Sequence, residues 1–358
     1  MNRKDLILRL RKASSRKSDA LATLKSRFIL KLLGVNSTKQ AELQYIELGS
    51  YASKIISKKI IYKNQYKKFS KFGNSLEHNF DAKYQVEISN VVVNNENGLV
   101  YVTDMDGKLL VLAESSDWPI HHILLNSEKP PRRISYEVKS ATLGLPNSSF
   151  AHLIGEDLPA LLSVKSRLPF LYYKDSSQIN GQIYDFYGLK RITVPKWVKV
   201  DKLLMLTRNG DVGYIHPESV HLLRSSKTLK NSKSMKKYYV SRLNATRSFP
   251  EEITLQSVLV GIGFQVIYPE KMSFEEQRET FSSAHVVAGI HGGGLVNALW
   301  SSKCTVIEFM PLKRINRCFE WQSMLFDHDY RRIYFDRANL SKKFIEEQVS
   351  SLNLDEKN

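Results

Sequence analysis

Cysteine, long apolar runs and internal repeats are scarce or absent in this 358-residue sequence. The two cysteines, Cys304 and Cys318, lie in no pattern that indicates a zinc site or a redox pair, so a reducing compartment fits best. Charges interrupt every window of the first 35 residues, and we therefore expect neither a secretory signal nor a membrane helix of about 18 apolar residues. The absence of repeats of about 20 to 50 residues excludes solenoids and propellers. A cytoplasmic globular protein is the expectation.

Length and composition predict two domains. The hydrophobic content of 42% and the charged content of 25% are those of an ordinary soluble protein, so wholesale disorder is excluded. A chain of 358 residues has room for two domains of average size, each with its own core.

Positive charge is concentrated at the start of the chain. Residues 1–72 contain 18 Lys and Arg against four acidic residues, so they carry +14 of the formal net charge of +17. Apolar residues recur among these charges at roughly helical spacing, and residues 54–71 interleave Ile and Tyr with Lys. The pattern is typical of a helix on an anionic membrane or of a solvated helical face, whereas no recognition motif supports nucleic-acid binding. We expect a basic, partly helical segment over residues 1–80, with residues 1–72 at a membrane surface and no bound nucleic acid.

Alternating helical and strand-like patterns predict an α/β protein. Strand patterns from residue 84 to residue 112 predict a small β-meander, and the polar, basic stretch 225–237 predicts a linker. Beyond the linker the pattern is that of one half of a doubly wound parallel sheet. The expected units are 1–80, 81–225, the linker 226–237, 238–345 and a tail, 346–358. Helices are predicted at 151–164, 179–187, 250–260, 273–282 and 294–299, and strands at 168–173, 190–194, 202–206, 238–241, 264–268, 285–288 and 305–309.

A glycine-rich turn between a predicted strand and a predicted helix is the strongest candidate site. Its sequence is His291-Gly292-Gly293-Gly294. The free N–H groups and the positive dipole end of the following helix attract anions, and the glycines let a phosphate approach the backbone. His291 adds a donor whose charge offsets that of a pyrophosphate leaving group. A tight turn without a ligand is the alternative.

Two common phosphate-binding motifs do not account for this turn. The glycines from Gly289 to Gly294 follow the pattern G-x-x-G-G-G rather than G-x-G-x-x-G, and no Gly-Lys-Ser or Gly-Lys-Thr follows them. Hydride transfer and nucleotide hydrolysis are therefore disfavoured.

Charged residues at the ends of neighbouring predicted strands extend the candidate site. Glu308 comes late in the strand after the glycine turn, where a carboxylate accepts hydrogen bonds from ribose hydroxyls. Arg242 follows strand 238–241 and can grip a diphosphate through its fork of N–H donors. Arg247 is a second candidate for that role, with a surface salt bridge as its alternative.

A second candidate pair precedes these motifs. His152 and Glu156 are four residues apart, which places them on one face of the predicted helix. Either side chain can deprotonate a hydroxyl, and His152 matches neutral pH better. A capping or core histidine is the alternative.

Together these motifs resemble glycosyltransferase family 61 from about residue 90 to residue 334. Members usually have His-Gly-Ala-Gly-Leu-x-Asn in the turn, and Gly293 replaces that alanine here. Residues 149–159 are similar to a further family motif, a His near an acid before Leu-Pro, although Leu153 stands where many members have Trp. The other carrying pieces are Ser241-Arg242 with Arg247, residues 263–277, and Val306-Ile307-Glu308.

The resemblance implies a GT-B architecture, in which two Rossmann-like domains face a cleft. It implies an inverting, metal-independent hexosyl- or pentosyltransferase. The implied donor is a nucleotide-diphosphate sugar, with a UDP-sugar as the main expectation, and the implied acceptor is a glycan or a lipid-linked glycan. No cofactor is expected. Residues 81–225 become the acceptor side, with His152 and Glu156 as catalytic residues, and 238–345 the donor side. The implied donor-binding residues are Arg242, Arg247, His291, Gly292, Gly293, Gly294, Leu295, Asn297 and Glu308.

A D-x-D motif and two alternative functions must be weighed against this interpretation. Asp104 and Asp106 form a D-x-D of the kind that metal-dependent transferases use, but Asp106-Gly107 between two strand patterns predicts a hairpin turn instead. The basic segment suggests work on bacterial surface polysaccharide, such as capsule, at the inner face of the membrane. A noncatalytic nucleotide-sugar-binding scaffold and a metal-dependent phosphotransferase stay open as alternatives.

Overall fold

A computed structural model shows that the chain is an α/β protein. The structure describes residues 44–46, 55–62, 65–71, 74–80, 83–103, 109–112, 128–143, 149–164, 168–173, 178–206, 210–211, 213–224, 236–245, 251–312, 316–336 and 340–352.

A mixed β-sheet organises the N-terminal half. Its strands are β1 (Gln44–Ile46), β2 (Ile55–Tyr62), β5 (Lys83–Asn94), β6 (Leu99–Thr103), β7 (Leu109–Leu112), β8 (Glu137–Thr142), β9 (Phe170–Tyr173), β10 (Arg191–Val194) and β11 (Trp197–Leu206); β3 (Gln65–Lys71) and β4 (Asn74–Phe80) form a separate hairpin. The order across the sheet is β1-β7-β6-β5-β11-β8-β9-β10, and β2 also pairs with β5. Antiparallel pairing of β5, β6 and β7 confirms the predicted meander. Strands β11, β8, β9 and β10 run parallel to one another.

The alternation of side chains along β5 explains its place in the centre of the sheet. Val86 and Ile88 are buried, and so are Val91 and Val93, so the buried positions change from even to odd numbers. Asn90 lies between the two pairs with a φ of 51°. The register of β5 with β11 continues unchanged across Asn90, and all four apolar side chains belong to one core cluster.

A parallel sheet organises the C-terminal half, as the sequence predicts. The small hairpin β12 (Gly210–Asp211) and β13 (Tyr214–Ile215) precedes it, and its strands are β14 (Lys236–Val240), β15 (Phe264–Ile267), β16 (Ala284–Ile290), β17 (Thr305–Pro311) and β18 (Asp329–Phe335). Their order is β15-β14-β16-β17-β18, with every neighbouring pair parallel. All carboxyl ends therefore meet at one edge, the edge at which α/β sheets bind ligands.

Helices cover the sheets and join the two halves. They are α1 (Phe150–His152), which continues through a π-helical turn (Leu153–Asp157) into α2 (Leu158–Ser163), then α3 (Gln178–Phe186), α4 (Val220–Arg224), α5 (Glu252–Gly261), α6 (Phe274–Ser282), α7 (Cys318–Leu325) and α8 (Lys342–Ser350). Three 3₁₀-helices span Pro217–Ser219, Pro269–Lys271 and Gly293–Trp300 among the described residues. These bounds confirm the predicted helices near 151–164, 179–187, 250–260 and 273–282.

One hydrophobic cluster runs through both halves. It contains Leu153 and Ile183 from the N-terminal helices together with Val240, Leu295 and Trp300 from the C-terminal half. Contacts between α3 and α6 reinforce it, because the Gln182 side chain accepts a hydrogen bond of 2.8 Å from the backbone N–H of Phe274. The two sheets are thus held in a fixed relation by a shared core.

Within the N-terminal segment, residues 55–62, 65–71 and 74–80 form strands. The described part of residues 55–80 therefore contains no helix, and the partly helical segment over residues 1–80 stays a prediction. Side chains of β3 alternate between half-buried and exposed positions, which is the period of a strand. Half-buried Phe69 packs its ring 5.0 Å from that of Trp321 on α7. The predicted helix within residues 1–43 lies outside the described residues. No described helix is both long and apolar enough to cross a membrane.

Two predicted domain boundaries fall inside elements. Residues 225–235 of the predicted linker lie outside the described residues, and its last two, Lys236 and Lys237, pair with β16 as the start of β14. Helix α8 continues from Lys342 to Ser350, across the predicted boundary at residue 345.

Candidate active site

The glycine turn lies at the carboxyl edge of the parallel sheet, as the sequence predicts. It follows β16 and leads into the 3₁₀-helix Gly293–Trp300, so the predicted helix is present but has 3₁₀ rather than α geometry. His291 is anchored to the sheet because its backbone N–H donates 2.9 Å to the carbonyl of Phe309 at β17. The turn is therefore part of the rigid sheet edge.

Each glycine of the turn has a different neighbour. A Cβ on Gly292 would lie 2.7 Å from Cζ and Nε of Arg242, and a Cβ on Gly294 would lie 2.7 Å from Cγ1 of Val240. Gly293 is exposed, and its Cβ would meet Ala151 at an ordinary 3.4 Å. Gly292 and Gly294 are thus required by contacts within the protein, which the sequence alone could not show. The close approach of a phosphate to this turn stays a prediction.

Arg242 lies directly on the glycine turn. It follows β14, its backbone N–H donates 2.7 Å to Glu252, and its Nη1 donates to the carbonyl oxygen of His291. The guanidinium lies against Gly292, in space that a Cβ on this residue would occupy. The structure therefore brings Arg242 and the turn together, as expected when neighbouring parallel strands end at one edge. Arg247 lies outside the described residues.

His291 and Glu308 form a buried pair. His291 Nδ1 and Glu308 Oε1 are 2.6 Å apart, and the exposed fractions of the two residues are 7% and 0%. The second carboxylate oxygen accepts a hydrogen bond from the hydroxyl of Tyr330 on β18. The ribose contact predicted for Glu308 stays a prediction, since both oxygens already have donors within the protein.

Asn297 and Leu295 fasten the 3₁₀-helix to its surroundings. Asn297 is fully buried, donates 2.8 Å to Gln277 and accepts 3.1 Å from the indole N–H of Trp300. Leu295 is buried in the shared core. Their predicted donor contacts stay predictions, and their observed role is packing.

His152 and Glu156 form a second pair on one helical face, as their spacing predicts. His152 Nδ1 and Glu156 Oε1 are 2.6 Å apart, with side-chain exposures of 39% and 2%. The same Glu156 oxygen accepts 2.9 Å from the backbone N–H of Gly213. Glu156 lies in the π-helical turn, and such turns are frequent at functional sites. Since Ala151 abuts Gly293, this pair lies beside the glycine turn.

Helix α7 contacts His291 and a residue that supports the other pair, and the sequence patterns did not indicate it. Phe319 places its ring 5.5 Å from that of His291. The preceding residue, Cys318, lies 3.2 Å from the Cβ position of Gly213, the residue that donates to Glu156. The first turn of α7 therefore packs against His291 and against Gly213.

A cavity of about 700 Å³ opens beside the glycine turn. Its walls combine helices α1 and α3 of the N-terminal half with the end of β14, the 3₁₀-helix Pro269–Lys271 and the start of α6. Several of its polar residues escaped the sequence analysis because only tertiary structure brings them there. The polar or charged lining residues are Ser149, Gln178, Gln182, Ser241, Arg242, Glu270, Lys271, Ser273 and Gln277.

Across the described ranges, no three His, Cys, Asp or Glu side chains are grouped so that they could hold a metal ion. Asp104 and Asp106 lie outside those ranges.

A family model matches part of the chain. The family model described as Glycosyltransferase 61 matches residues 150–307. The match begins at the first residue of α1 and contains the His152–Glu156 pair, Arg242 and the glycine turn. It ends one residue before Glu308. None of the curated proteins compared with the chain matches it.

Proposed function

We propose that this chain, which belongs to glycosyltransferase family 61 through residues 150–307 and is therefore a glycosyltransferase, uses a nucleotide-diphosphate sugar as donor. The acceptor in this proposal is a hydroxyl of a glycan. The observation that carries it is the Arg242 guanidinium, held on the glycine turn at the edge of the parallel sheet and lining the adjoining cavity. A guanidinium and free backbone N–H groups at that edge are the groups that bind a diphosphate.

The cavity suits the donor in size and polarity. Its volume of about 700 Å³ lies within the range of about 300 to 1,000 Å³ that is usual for small-molecule sites. Arg242 and Gly293 line the side where we place the diphosphate, whereas Gln178, Gln182 and Lys271 line other walls and offer hydrogen bonds to a nucleoside. We also propose a GT-B arrangement, supported by a cavity that both α/β halves build.

The His152–Glu156 pair suits the role of general base. Glu156 is held by Gly213, so it fixes the Nδ1–H tautomer of His152 and directs Nε2 toward the acceptor hydroxyl. The hydroxyl oxygen would form a bond to the anomeric carbon while the bond from that carbon to the diphosphate oxygen breaks, and the hydroxyl proton would pass to His152. Because the hydroxyl attacks from the face opposite the diphosphate, the configuration at the anomeric carbon is inverted. A product in which NMR shows retained anomeric configuration would contradict this mechanism.

His291 and Arg242 suit the stabilisation of the leaving group. As the bond to the sugar breaks, a negative charge develops on the nucleoside diphosphate. Nδ1 of His291 is bound to Glu308, and Nε2 makes no hydrogen bond to any residue in the described part of the chain. We propose that Nε2 and the guanidinium of Arg242 donate to the diphosphate, so that protein groups supply positive charge and transfer needs no metal.

Thermal stabilisation by nucleotide sugars tests the donor assignment. A ligand at about 100 times its Kd adds about 2.7 kcal/mol to the free energy of unfolding. We expect a clear rise in Tm with UDP and at least one UDP-sugar, unchanged by EDTA. Matched samples with free ribose and with inorganic phosphate control for weak binding of the parts. The proposal would be contradicted if no nucleotide sugar raised Tm, or if EDTA abolished the rise in Tm.

We further propose that the basic N-terminus holds the enzyme at the inner face of a bacterial membrane, where surface polysaccharide is made. The support is the net charge of +14 over residues 1–72, because each basic residue near an anionic surface contributes about 1 kcal/mol. Deleting residues 1–40 removes 11 basic and two acidic residues. We expect this deletion to lower sedimentation with vesicles rich in anionic lipid at least tenfold, whereas neither protein should sediment with zwitterionic vesicles. Equal sedimentation of both proteins with anionic vesicles would refute the membrane role.

A further inference from the structure

A line of hydrogen bonds begins at His291. Glu308 accepts from His291 through Oε1 and from the hydroxyl of Tyr330 through Oε2. The Tyr330 oxygen in turn accepts 2.9 Å from Nε of Arg332, and Nη2 of Arg332 donates 2.9 Å to Glu320 on α7. The line therefore runs from β17 through two residues of β18 to α7.

The direction of each hydrogen bond in this line follows from chemistry. Arginine only donates, so the Tyr330 oxygen must accept from Arg332 and direct its own proton to Glu308. Burial, and after it the charge of Glu308, raises the pKa of the Tyr330 hydroxyl far above its ordinary value of 10.0. The hydroxyl thus stays a donor across the physiological range of pH. With Oε2 so occupied, Oε1 is left to accept from Nδ1–H of His291.

The charged groups around the pair are few and each has a defined place. Arg332 lies 4.0 Å from Glu308, measured from Nε to Oε2. Glu320 is shared with Arg317, whose Nε donates to it at 2.7 Å. The Arg242 guanidinium donates to the backbone carbonyl of His291. Among described residues, Tyr330 is therefore the group that fixes the second oxygen of Glu308 directly.

We propose that Tyr330 is a positioning residue for catalysis, acting through Glu308 to hold His291 in the tautomer with Nδ1 protonated and Nε2 directed at the leaving diphosphate. Arg332 supports it by fixing the hydroxyl. This inference rests on the proposed function of His291. Without the hydroxyl, the fully buried Glu308 loses one of its two hydrogen-bond donors, and its carboxylate is no longer held in the orientation that accepts from Nδ1–H of His291.

Tyr330→Phe tests the proposal with the loss of one oxygen atom. We expect kcat/KM to fall about tenfold or more, since a hydrogen bond to a charged group is lost. A second readout is independent of substrate. In ¹⁵N-histidine-labelled protein, the signal of His291, assigned by its absence in His291→Ala, should change from one tautomer to a mixture.

Matched variants separate positioning from general loosening. Tyr66→Phe removes another tyrosine–glutamate hydrogen bond, from Tyr66 to Glu77 at 2.6 Å on the exposed hairpin. This variant should leave both kcat/KM and the tautomer of His291 unchanged. Arg332→Gln should shift both readouts in the direction of Tyr330→Phe but less, and it replaces that variant if the latter does not fold.

The outcomes of these experiments are distinguishable. A Tyr330→Phe enzyme with an unchanged His291 tautomer would overturn the inference, whether its rate is normal or lowered. If His291→Ala itself keeps full activity, the proposed leaving-group role fails instead. A loss of activity in His291→Ala together with a normal Tyr330→Phe enzyme would refute the positioning role alone.

Discussion

Replacing His152 by Ala is expected to lower kcat by about 10² to 10⁴-fold, the usual contribution of a general base, with little change in affinity for the donor nucleotide. The imidazole is held 2.6 Å from Glu156, and the helix that carries it abuts the glycine turn at Gly293. The side chain keeps 39% of its surface exposed, so an acceptor can reach it. Steady-state rates with excess donor, together with nucleotide affinity from calorimetry, measure the two effects separately.

Two further variants sharpen the experiment. His221→Ala removes an exposed histidine of α4 and is expected to leave kcat unchanged. Glu156→Gln keeps an oxygen for the N–H of Gly213 but loses the negative charge beside His152, so an intermediate loss of kcat is expected. A His152→Ala enzyme with nearly normal kcat would show that the base lies elsewhere.

The parts of the fold that the sequence predicted are those with local signals. Strands β14 and β16 are short apolar runs, and α6 begins with a capping box in which Ser273 and Glu276 bond each other's backbone N–H. Such signals depend on residues a few positions apart. The order of the N-terminal sheet, in which β11 is inserted between β5 and β8, depends on contacts across more than 50 residues and had no local signal.

The elements that the sequence did not predict are rich in buried polar residues. Helix α7 buries Glu320 and Gln322, and β18 half-buries Arg332. Their partners are remote, since Gln322 donates 2.9 Å to the carbonyl of Val296 and Glu320 accepts from Arg332. A charged residue in sequence resembles a surface residue until its partner is known. The support of His291 by Tyr330 was invisible for the same reason.

The candidate site was predictable to different depths. The pairing of His152 with Glu156 follows from helical spacing, and the approach of Arg242 to the turn follows from strands that end at one edge. The direction of a side chain does not follow from either rule. The ribose contact of Glu308 stays a prediction, and in the structure this side chain lies fully buried between His291 and Tyr330.

Loss of the Arg242 guanidinium is expected to weaken donor binding about 10- to 100-fold, because charge-assisted hydrogen bonds to a diphosphate are among the strongest single contacts. Turnover should fall as well, since the same group faces the leaving diphosphate as its charge grows. Arg242→Ala tests this directly. Arg242→Lys should recover only part of the affinity, because an ammonium keeps the charge but lacks the planar fork. Titration calorimetry with UDP and the preferred UDP-sugar gives both affinities.

The contact between Arg242 and Gly292 permits a stricter test than a single substitution. In Gly292→Ala the new Cβ would lie 2.7 Å from Cζ and Nε of Arg242, so the guanidinium must move and donor affinity should fall nearly as far as in Arg242→Ala. If that displacement is the cause, Gly292→Ala should lower donor affinity little further in a protein that already carries Arg242→Ala. The losses of donor affinity from the two substitutions should then be strongly non-additive. Gly261→Ala, with nothing within 4 Å, and Arg331→Ala, which breaks a surface pair with Asp329, are the matched controls and should bind donor normally. Additive losses, or normal donor affinity in Arg242→Ala, would show that the diphosphate does not lie where Arg242 covers the turn.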